Sequence, residues 1–398
     1  MRLRITNLQL NKNKKQVAGL YIHIPLCTQR CSYCDFFSTT LLNKRVELID
    51  ALCKEMKMRT DYLPVDANVL ETIYIGGGTP SLLSSSEINI LINCALETFP
   101  HVDTDKMEIT MEANPNDLTE VYLKELSGTA INRLSIGCQS FNDTTLKIIN
   151  RRHNADEAKN AITNARKFGF NNISVDLIYG LPSQTIESWK NDVATAIALK
   201  PNHISAYCLE LHRGSLLTKK ISKGEMTEMD ESDCLACFKH LREATSSSGY
   251  EHYEISNFAL KGFRSRHNSS YWHDIPYIGI GPAAHSYNGE SRQWNVSHLP
   301  KYLKAISENR LDTEIETLSV TEKYNDYILT ALRTSDGIDF QYIENRFGTS
   351  LADFAKNVAS AQEKENNIEL LDGKCRLTEK GIFISDTIFT EFIVVDEE

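Results

Sequence analysis

The segment Leu20-Tyr-Ile-His-Ile-Pro-Leu-Cys27-Thr-Gln-Arg-Cys31-Ser-Tyr-Cys34-Asp-Phe36 decides how the rest of the chain is read. Its first half is apolar and β-branched and reads as a strand. Its second half places three cysteines at C-x3-C-x2-C on one loop directly after that strand. Thiolates are the usual ligands of a four-iron cubane, and three of them leave one iron open to a ligand that is not protein. On spacing alone a zinc site also stands, with Asp35 or His23 as a fourth ligand.

Outward from this loop, β-rich runs alternate with helical patterns as far as Leu211. The spacing predicts strands at Leu20–Ile24, Thr72–Ile75, Glu108–Met111, Arg133–Ile136, Ile173–Ile178 and His203–Leu209, nearly all apolar, as in parallel strands covered on both faces. Between them, Ser84 with Glu87 forms a capping-box pattern and Gly169 a helix C-terminal cap. The alternation implies a parallel sheet with right-handed crossovers, either open and doubly wound or a partial barrel. Gly76-Gly77-Gly78-Thr79-Pro80 follows the second strand, where consecutive glycines allow close backbone approach. Glu112, Gln139 and Asp176 are polar residues on later strands. Carboxyl ends of strands form the sites of α/β folds, so these residues and the cysteines are expected to share one pocket.

Beyond Leu211 the pattern loosens. Thr218–Gly249 reads as charged and helical, and Tyr250–Trp294 as aromatic-rich with no clear period. A last unit follows, with helices at Thr321–Thr334, Phe340–Phe347 and Leu351–Glu365. Strands at Ile368–Leu371 and Lys374–Leu377 then turn about Asp372-Gly373. Cys234 and Cys237 make a C-x-x-C pair inside a helical stretch, where buried thiols are the ordinary reading.

The chain has 398 residues, 41% hydrophobic and 24% charged, with ten cysteines and a formal net charge of −10. The acidic balance argues against a nucleic-acid partner. Met1 to Lys15 has no apolar core and does not read as a signal peptide, so a cytoplasmic location with reduced or metal-bound thiols is expected.

With these motifs in place, C-x3-C-x2-C after strand one and the glycine turn after strand two resemble the radical S-adenosylmethionine (SAM) superfamily. Glu112-Ala-Asn-Pro115, Arg133-Leu-Ser-Ile-Gly137 with Gln139-Ser-Phe141, Asp176–Pro182 and Tyr253–Phe258 look like the oxygen-independent coproporphyrinogen III oxidase group. Within it, Phe36 stands where the oxidase branch adds a cysteine. His267-Asn-Ser-Ser-Tyr-Trp272 is similar to the H-N-x-x-Y-W motif of the HemW-type haem-chaperone branch.

The resemblance implies an α/β fold, a partial (β/α)6 TIM-like barrel with a small C-terminal α+β winged-helix-like domain. It divides the chain into an N-terminal extension (1–18), the barrel (19–211), a connecting region with the H-N-x-x-Y-W motif (212–312) and the winged-helix-like domain (313–398). It implies a [4Fe–4S] cluster on Cys27, Cys31 and Cys34. It implies SAM at Tyr21, Tyr33, Gly77, Gly78, Thr79, Glu112, Gln139, Arg151 and Asp176, and haem at His267, in a segment that looks flexible. The function implied is carriage of haem to acceptor proteins such as respiratory cytochromes, with coproporphyrinogen III oxidation or another SAM-cleaving reaction as the alternative. The implied partners are haem, its acceptors and an electron donor for the cluster. A homodimer and a peripheral position at the inner face of the membrane are left open.

Overall fold

The computed structural model describes residues 17–395, so nearly all of the N-terminal extension at 1–18 and the last three residues lie outside the described residues. The first half of the chain alternates strand and helix: β1 (Val17–Ile24), α1 (Arg45–Met58), β2 (Val69–Gly77), α2 (Ser85–Thr98), β3 (Glu108–Ala113), α3 (Glu120–Leu126), β4 (Arg133–Gln139), α4 (Asp143–Ile148), α5 (Ala155–Lys167), β5 (Ile173–Tyr179), α6 (Ile186–Ala198) and β6 (His203–Cys208). β1 to β6 pair in sequence order and in parallel. The helix ends obey local chemistry: Ser84 and Glu87 form the reciprocal capping box of α2, and Gly169 follows α5 at φ +94°.

The expectation of near-continuously apolar strands is corrected. One set of alternating positions is apolar, including Leu20, Ile22, Ile73, Ile75, Leu134, Ile136, Val175, Leu177 and Ile204, and it packs with helix residues such as Leu52, Leu91, Ile162 and Trp189 in one core. The other set is polar and runs across neighbouring strands. Ser135 Oγ donates to both Asp176 oxygens (3.1 and 3.0 Å), Ser174 Oγ lies 2.8 Å from His203 Nδ1, and Thr72 Oγ1 lies 2.8 Å from His267 Nδ1. The concave face of the partial barrel is therefore polar.

The stretch without a clear period folds onto both edges of this sheet. α7 (Leu216–Ser222) and α8 (Glu231–Ser247) lead to β7 (Glu251–Glu254) and β8 (Asn257–Ala259), which extend the β6 edge antiparallel. α9 (Arg266–Trp272) precedes β9 (Tyr277–Ile280), which pairs with β1 in parallel. β10 (His285–Tyr287), β11 (Ser291–Asn295), α10 (Leu299–Ser307) and β12 (Thr313–Thr317) then complete that edge. These strands are three to five residues long, too short for a period of two to stand out.

A second core belongs to the C-terminal unit: α11 (Val320–Ala331), β13 (Ile338–Asp339), α12 (Phe340–Phe347), α13 (Thr349–Lys364), β14 (Ile368–Leu371), β15 (Lys374–Leu377), α14 (Glu379–Phe383) and α15 (Ser385–Phe392). The expected hairpin about Asp372-Gly373 is present, and β13 joins it to make a three-stranded antiparallel sheet of winged-helix-like form.

The β1 edge is locked to α1 by a buried polar network. Glu55 Oε2 accepts from Gly281 N (2.8 Å) and Tyr302 OH (2.7 Å), and Oε1 accepts from Asn295 Nδ2 (2.8 Å). Arg59 pairs with Glu55 at 3.3 Å and donates to Gly279 O, Ser286 Oγ and Gln293 Oε1. Both side chains are essentially without solvent contact. Removing one partner strands the other charge in the interior. Arg59→Ala is expected to lower unfolding free energy by about 3–5 kcal/mol in urea titration. Lys44→Ala, which breaks the exposed pair to Glu47, should change it by less than about 1 kcal/mol.

Candidate functional site

β1 leaves the sheet at Ile24, opposite Gly77 of β2. The neck of the cysteine loop is closed by two backbone bonds, Thr39 N to Pro25 O (2.7 Å) and Cys27 N to Thr39 O (2.9 Å). Its far side is tied to the turn between α4 and α5: Ser32 N donates to Ile149 O (3.0 Å) and Asn150 Nδ2 to Arg30 O (2.8 Å). Asn150 sits in the left-handed region at φ +59°, which asparagine tolerates. The next residue, Arg151, places Nη1 3.3 Å from Cys31 Sγ and donates through Nη2 to the Gly137 carbonyl. Tyr33 is held beside Arg151 and Cys31, and burial raises its hydroxyl pKa far above the ordinary range. Burial pushes the Cys27 thiol up and that of Cys34 to about 11, so a metal has to displace their protons.

The glycine turn presses against this loop. Gly77 has φ +114°, and a Cβ there would stand 2.6 Å from the His23 ring. At Gly78 a Cβ would stand 2.9 Å from Cys27 Sγ and 2.8 Å from Leu26 O. Gly78 N donates to Ile24 O (2.8 Å), and Thr79 Oγ1 lies 3.4 Å from Cys27 Sγ. Glu112 completes the turn by accepting from Gly77 N and Tyr74 OH, each at 2.9 Å. Burial raises the Glu112 pKa from 4.5 to about 7. Tyr21 OH lies 2.9 Å from His23 Nδ1, and His23 Nε2 lies 3.0 Å from Phe37 O. With burial holding the His23 pKa down at about 4, the ring is neutral, donates from Nε2 and accepts from Tyr21.

Gln139 follows a register shift in the β4–β5 pairing and adopts φ +68°, strained for a residue with a side chain. Asp176, in register with Gly137, has its pKa raised by burial against the opposing pull of Ser135 and Arg133. The structure thus brings Tyr33, Gly77, Gly78, Thr79, Glu112, Gln139 and Arg151 to the carboxyl ends of the strands, the side that carries Cys27, Cys31 and Cys34, while Tyr21 and Asp176 stand midway along β1 and β5.

This donor set fits a cluster. Three free thiols share one loop, a cation stands at the middle one, and only glycine fits beside the first. Among the described residues, no group of three or more His, Cys, Asp or Glu side chains is arranged to hold a metal ion as it stands. A cubane spreads its thiolates over different irons.

His267 is placed elsewhere. The flexible segment expected around it is corrected: the residue lies on α9, 1% exposed, beneath the amino-terminal half of the barrel. Its ring stacks on Tyr74 at 5.1 Å, Nδ1 meets Thr72 Oγ1 at 2.8 Å and Nε2 meets Tyr271 OH at 2.8 Å. Burial lowers its pKa to about 3. Its backbone N–H donates to Glu108 (3.0 Å). The ring fits this place because Gly19 opposite has no side chain: a Cβ there would stand 3.1 Å from it.

Sequence reasoning missed Arg133, which is 1% exposed on the same polar face, with Nε and Nη1 lacking partners. Its signal was the period-two polarity of Arg133-Leu-Ser-Ile-Gly, hidden by the apolar residues between.

The sequence profile of the Radical SAM superfamily matches residues 21–196, and that of the HemN C-terminal domain matches 318–384. Over 94% of its length the chain is 34% identical to the haem chaperone HemW of Lactococcus lactis, covering 97% of that protein. The chain belongs to the HemW family. Bacillus subtilis HemW is 31% identical across 94% of the chain and 98% of the relative. In cattle, the mitochondrial radical S-adenosyl methionine domain-containing protein 1 is 30% identical across 95% of the chain and 88% of its own length. The Escherichia coli coproporphyrinogen III oxidase structure (HemN) superposes with a TM-score of 0.80 at 23% identity, covering 95% of this chain and 90% of that one. It shows the fold: a partial barrel of the radical SAM type with its small C-terminal unit.

Between pH 4.5 and about 7, folded protein keeps a proton on Glu112 that unfolded chain has released, so this residue makes stability fall as pH rises through that window. Urea midpoints of wild type and Glu112→Gln should therefore diverge from pH 5 to pH 8. The glutamine variant is expected to lose less stability over that range.

Proposed function

We propose that this protein carries haem and passes it to acceptor proteins, respiratory cytochromes among them, on a scaffold that holds a [4Fe–4S] cluster and SAM. One observation carries the reading: similarity to haem chaperones that runs almost end to end through both cores. Phe36, in place of the oxidase branch's extra cysteine, agrees with it.

In this reading Cys27, Cys31 and Cys34 ligate three irons of the cluster, and Arg151 stabilises the thiolate of Cys31. The backbone of Gly77 and Gly78, with Thr79, takes the polar end of SAM, and Glu112 orients that backbone through its bond to Gly77 N. Asp176, already surrounded by serine hydroxyls, accepts from a ribose hydroxyl. Tyr21, Tyr33 and Gln139 line the same recess. When bound, the cluster supplies an electron to the sulfonium of SAM, which calls for an external electron donor. His267 meets haem only if α9 leaves the barrel, because both its ring nitrogens are engaged. We place the protein in the cytoplasm; no helix among the described residues is long and apolar enough to cross a membrane.

A second reading, radical decarboxylation of coproporphyrinogen III, has one feature behind it. Arg133 offers unpaired N–H groups on the polar face, and that substrate is rich in carboxylates.

Anaerobically reconstituted wild type is expected to bind about four irons per chain and to lose them in the Cys27→Ala/Cys31→Ala/Cys34→Ala variant. Unchanged cluster absorbance and spin-resonance spectra in that variant would falsify the ligand set. Stoichiometric haem binding followed by transfer to an apo-cytochrome supports the chaperone reading. Turnover of coproporphyrinogen III with no haem binding overturns it in favour of the second.

A further inference from the structure

Away from the cysteine loop, two further thiols are set against each other. Cys208 closes β6, in register with Tyr179 of β5, and Leu209 N donates to Tyr179 O (2.8 Å). Cys234 completes the first turn of α8, its N–H donating to Asp230 O (2.9 Å). Between them lies Gly180, at φ +80°. A Cβ there would stand 3.2 Å from Cys234 Sγ and 3.6 Å from Cys208 Sγ, so both sulfurs lie over one backbone position that carries no side chain. The C-x-x-C spacing does not make Cys234 and Cys237 partners. Cys237 is buried in the main core, its Sγ 4.0 Å from Met229 Sδ. Cys234 faces Cys208, which is exposed. Cys53 and Cys94 are also neighbours, but Cys94 is buried and its thiol is engaged by Cys53 O (3.5 Å).

The two facing sulfurs are chemically unequal. Cys208 holds its proton towards Cys234, which pushes the Cys208 thiol up and draws the Cys234 thiol below its ordinary value. The partial positive charge at the start of α8 acts on Cys234 in the same direction. A thiolate is the attacking species in thiol–disulfide exchange, and a second thiol beside it is in place to resolve the mixed disulfide. The charged groups that act on the pair are carboxylates, Glu210 at Cys208 and Asp230, Glu231 and Asp233 at Cys234. They repel an anionic reagent and admit a neutral or cationic one.

We propose that Cys208 and Cys234 form a thiol–disulfide exchange site whose substrate is a small neutral or cationic disulfide. Cys234 Sγ attacks one sulfur of the reagent, the reagent's S–S bond breaks, and one thiol leaves with the proton that Cys234 gave up. Cys208 Sγ then attacks Cys234 Sγ in the mixed disulfide, and the second thiol leaves with the proton of Cys208. One disulfide is reduced to two thiols, and the pair is oxidised by the same two electrons. Excess thiol reverses the reaction. The new bond ties the carboxyl end of β6 to α8. It closes one residue from Leu209, which packs with Tyr33 of the cysteine loop against Ile149, Ile178 and Leu181.

The experiment uses full-length protein, reconstituted anaerobically so that the cluster covers Cys27, Cys31 and Cys34, with cluster absorbance followed throughout. Cystamine, hydroxyethyl disulfide or oxidised glutathione is added, free thiols are alkylated, and the bonds are mapped by mass spectrometry of proteolytic peptides. Wild type should yield a Cys208–Cys234 cross-link that dithiothreitol removes. Cystamine should form it at least about tenfold faster than anionic oxidised glutathione at low salt, the gap closing as salt is raised. Cys208→Ser should stop at the mixed disulfide on Cys234. Cys234→Ser should react at least about tenfold more slowly and form no cross-link to Cys208. Cys237→Ser should behave as wild type. A Cys234–Cys237 bond, or a mixed disulfide that never resolves in wild type, overturns the pairing. Oxidised glutathione outpacing cystamine overturns the substrate class.

Discussion

The close approach of the β2 turn to the exit of β1 is the constraint on which the site depends. Parallel register sets Ile24 against Gly77, and the turn then passes so near the cysteine loop that a Cβ at Gly77 or Gly78 would strike the His23 ring or Cys27 Sγ. Two consequences follow from this one contact. The Cys27 thiol is positioned by backbone, with no flexible side chain in between, and the backbone N–H of Gly77 is met by Glu112. Glu112 bears a cost for this, since burial without a cation holds its carboxyl well above the ordinary range. The carboxylate and the glycine turn are therefore coupled, and a change at either reaches the cysteines.

What the sequence made legible tracks how local the cause is. The β1–β6 alternation, the Ser84–Glu87 capping box, the Gly169 cap and the Asp372-Gly373 hairpin depend on neighbours within a few residues, and each is present. The cysteine loop stood out because C-x3-C-x2-C is a pattern written in nearly consecutive residues. The edge strands β7–β12 were not, since strands of three to five residues become strands only by pairing with β6 and β1. The same applies to Arg133 and the polar face, whose meaning comes from residues on adjacent strands meeting side by side.

His267 shows most sharply where a motif and its surroundings diverge. The H-N-x-x-Y-W words place an imidazole among aromatics, a pattern equally suited to gripping a porphyrin and to filling a barrel. The contacts select the second for the resident conformation. Two hydrogen bonds, a stacked Tyr74 and the glycine notch at Gly19 satisfy the ring completely. A buried imidazole so held is neutral and unavailable, and opening it would break the bonds to Thr72, Glu108 and Tyr271, each worth about 0.5–1.5 kcal/mol.

The barrel thus has two unlike ends, which bears on why a radical SAM scaffold would serve a carrier. α9 packs aromatic rings under the amino-terminal end, while the cysteine loop stands at the carboxyl end with Phe36 exposed beside it. An enzyme of this fold gains from enclosing its substrate, because water competes for reactive intermediates. Phe36, exposed beside the third cysteine, adds nothing to such enclosure. A carrier, by contrast, must give up its cargo to another protein.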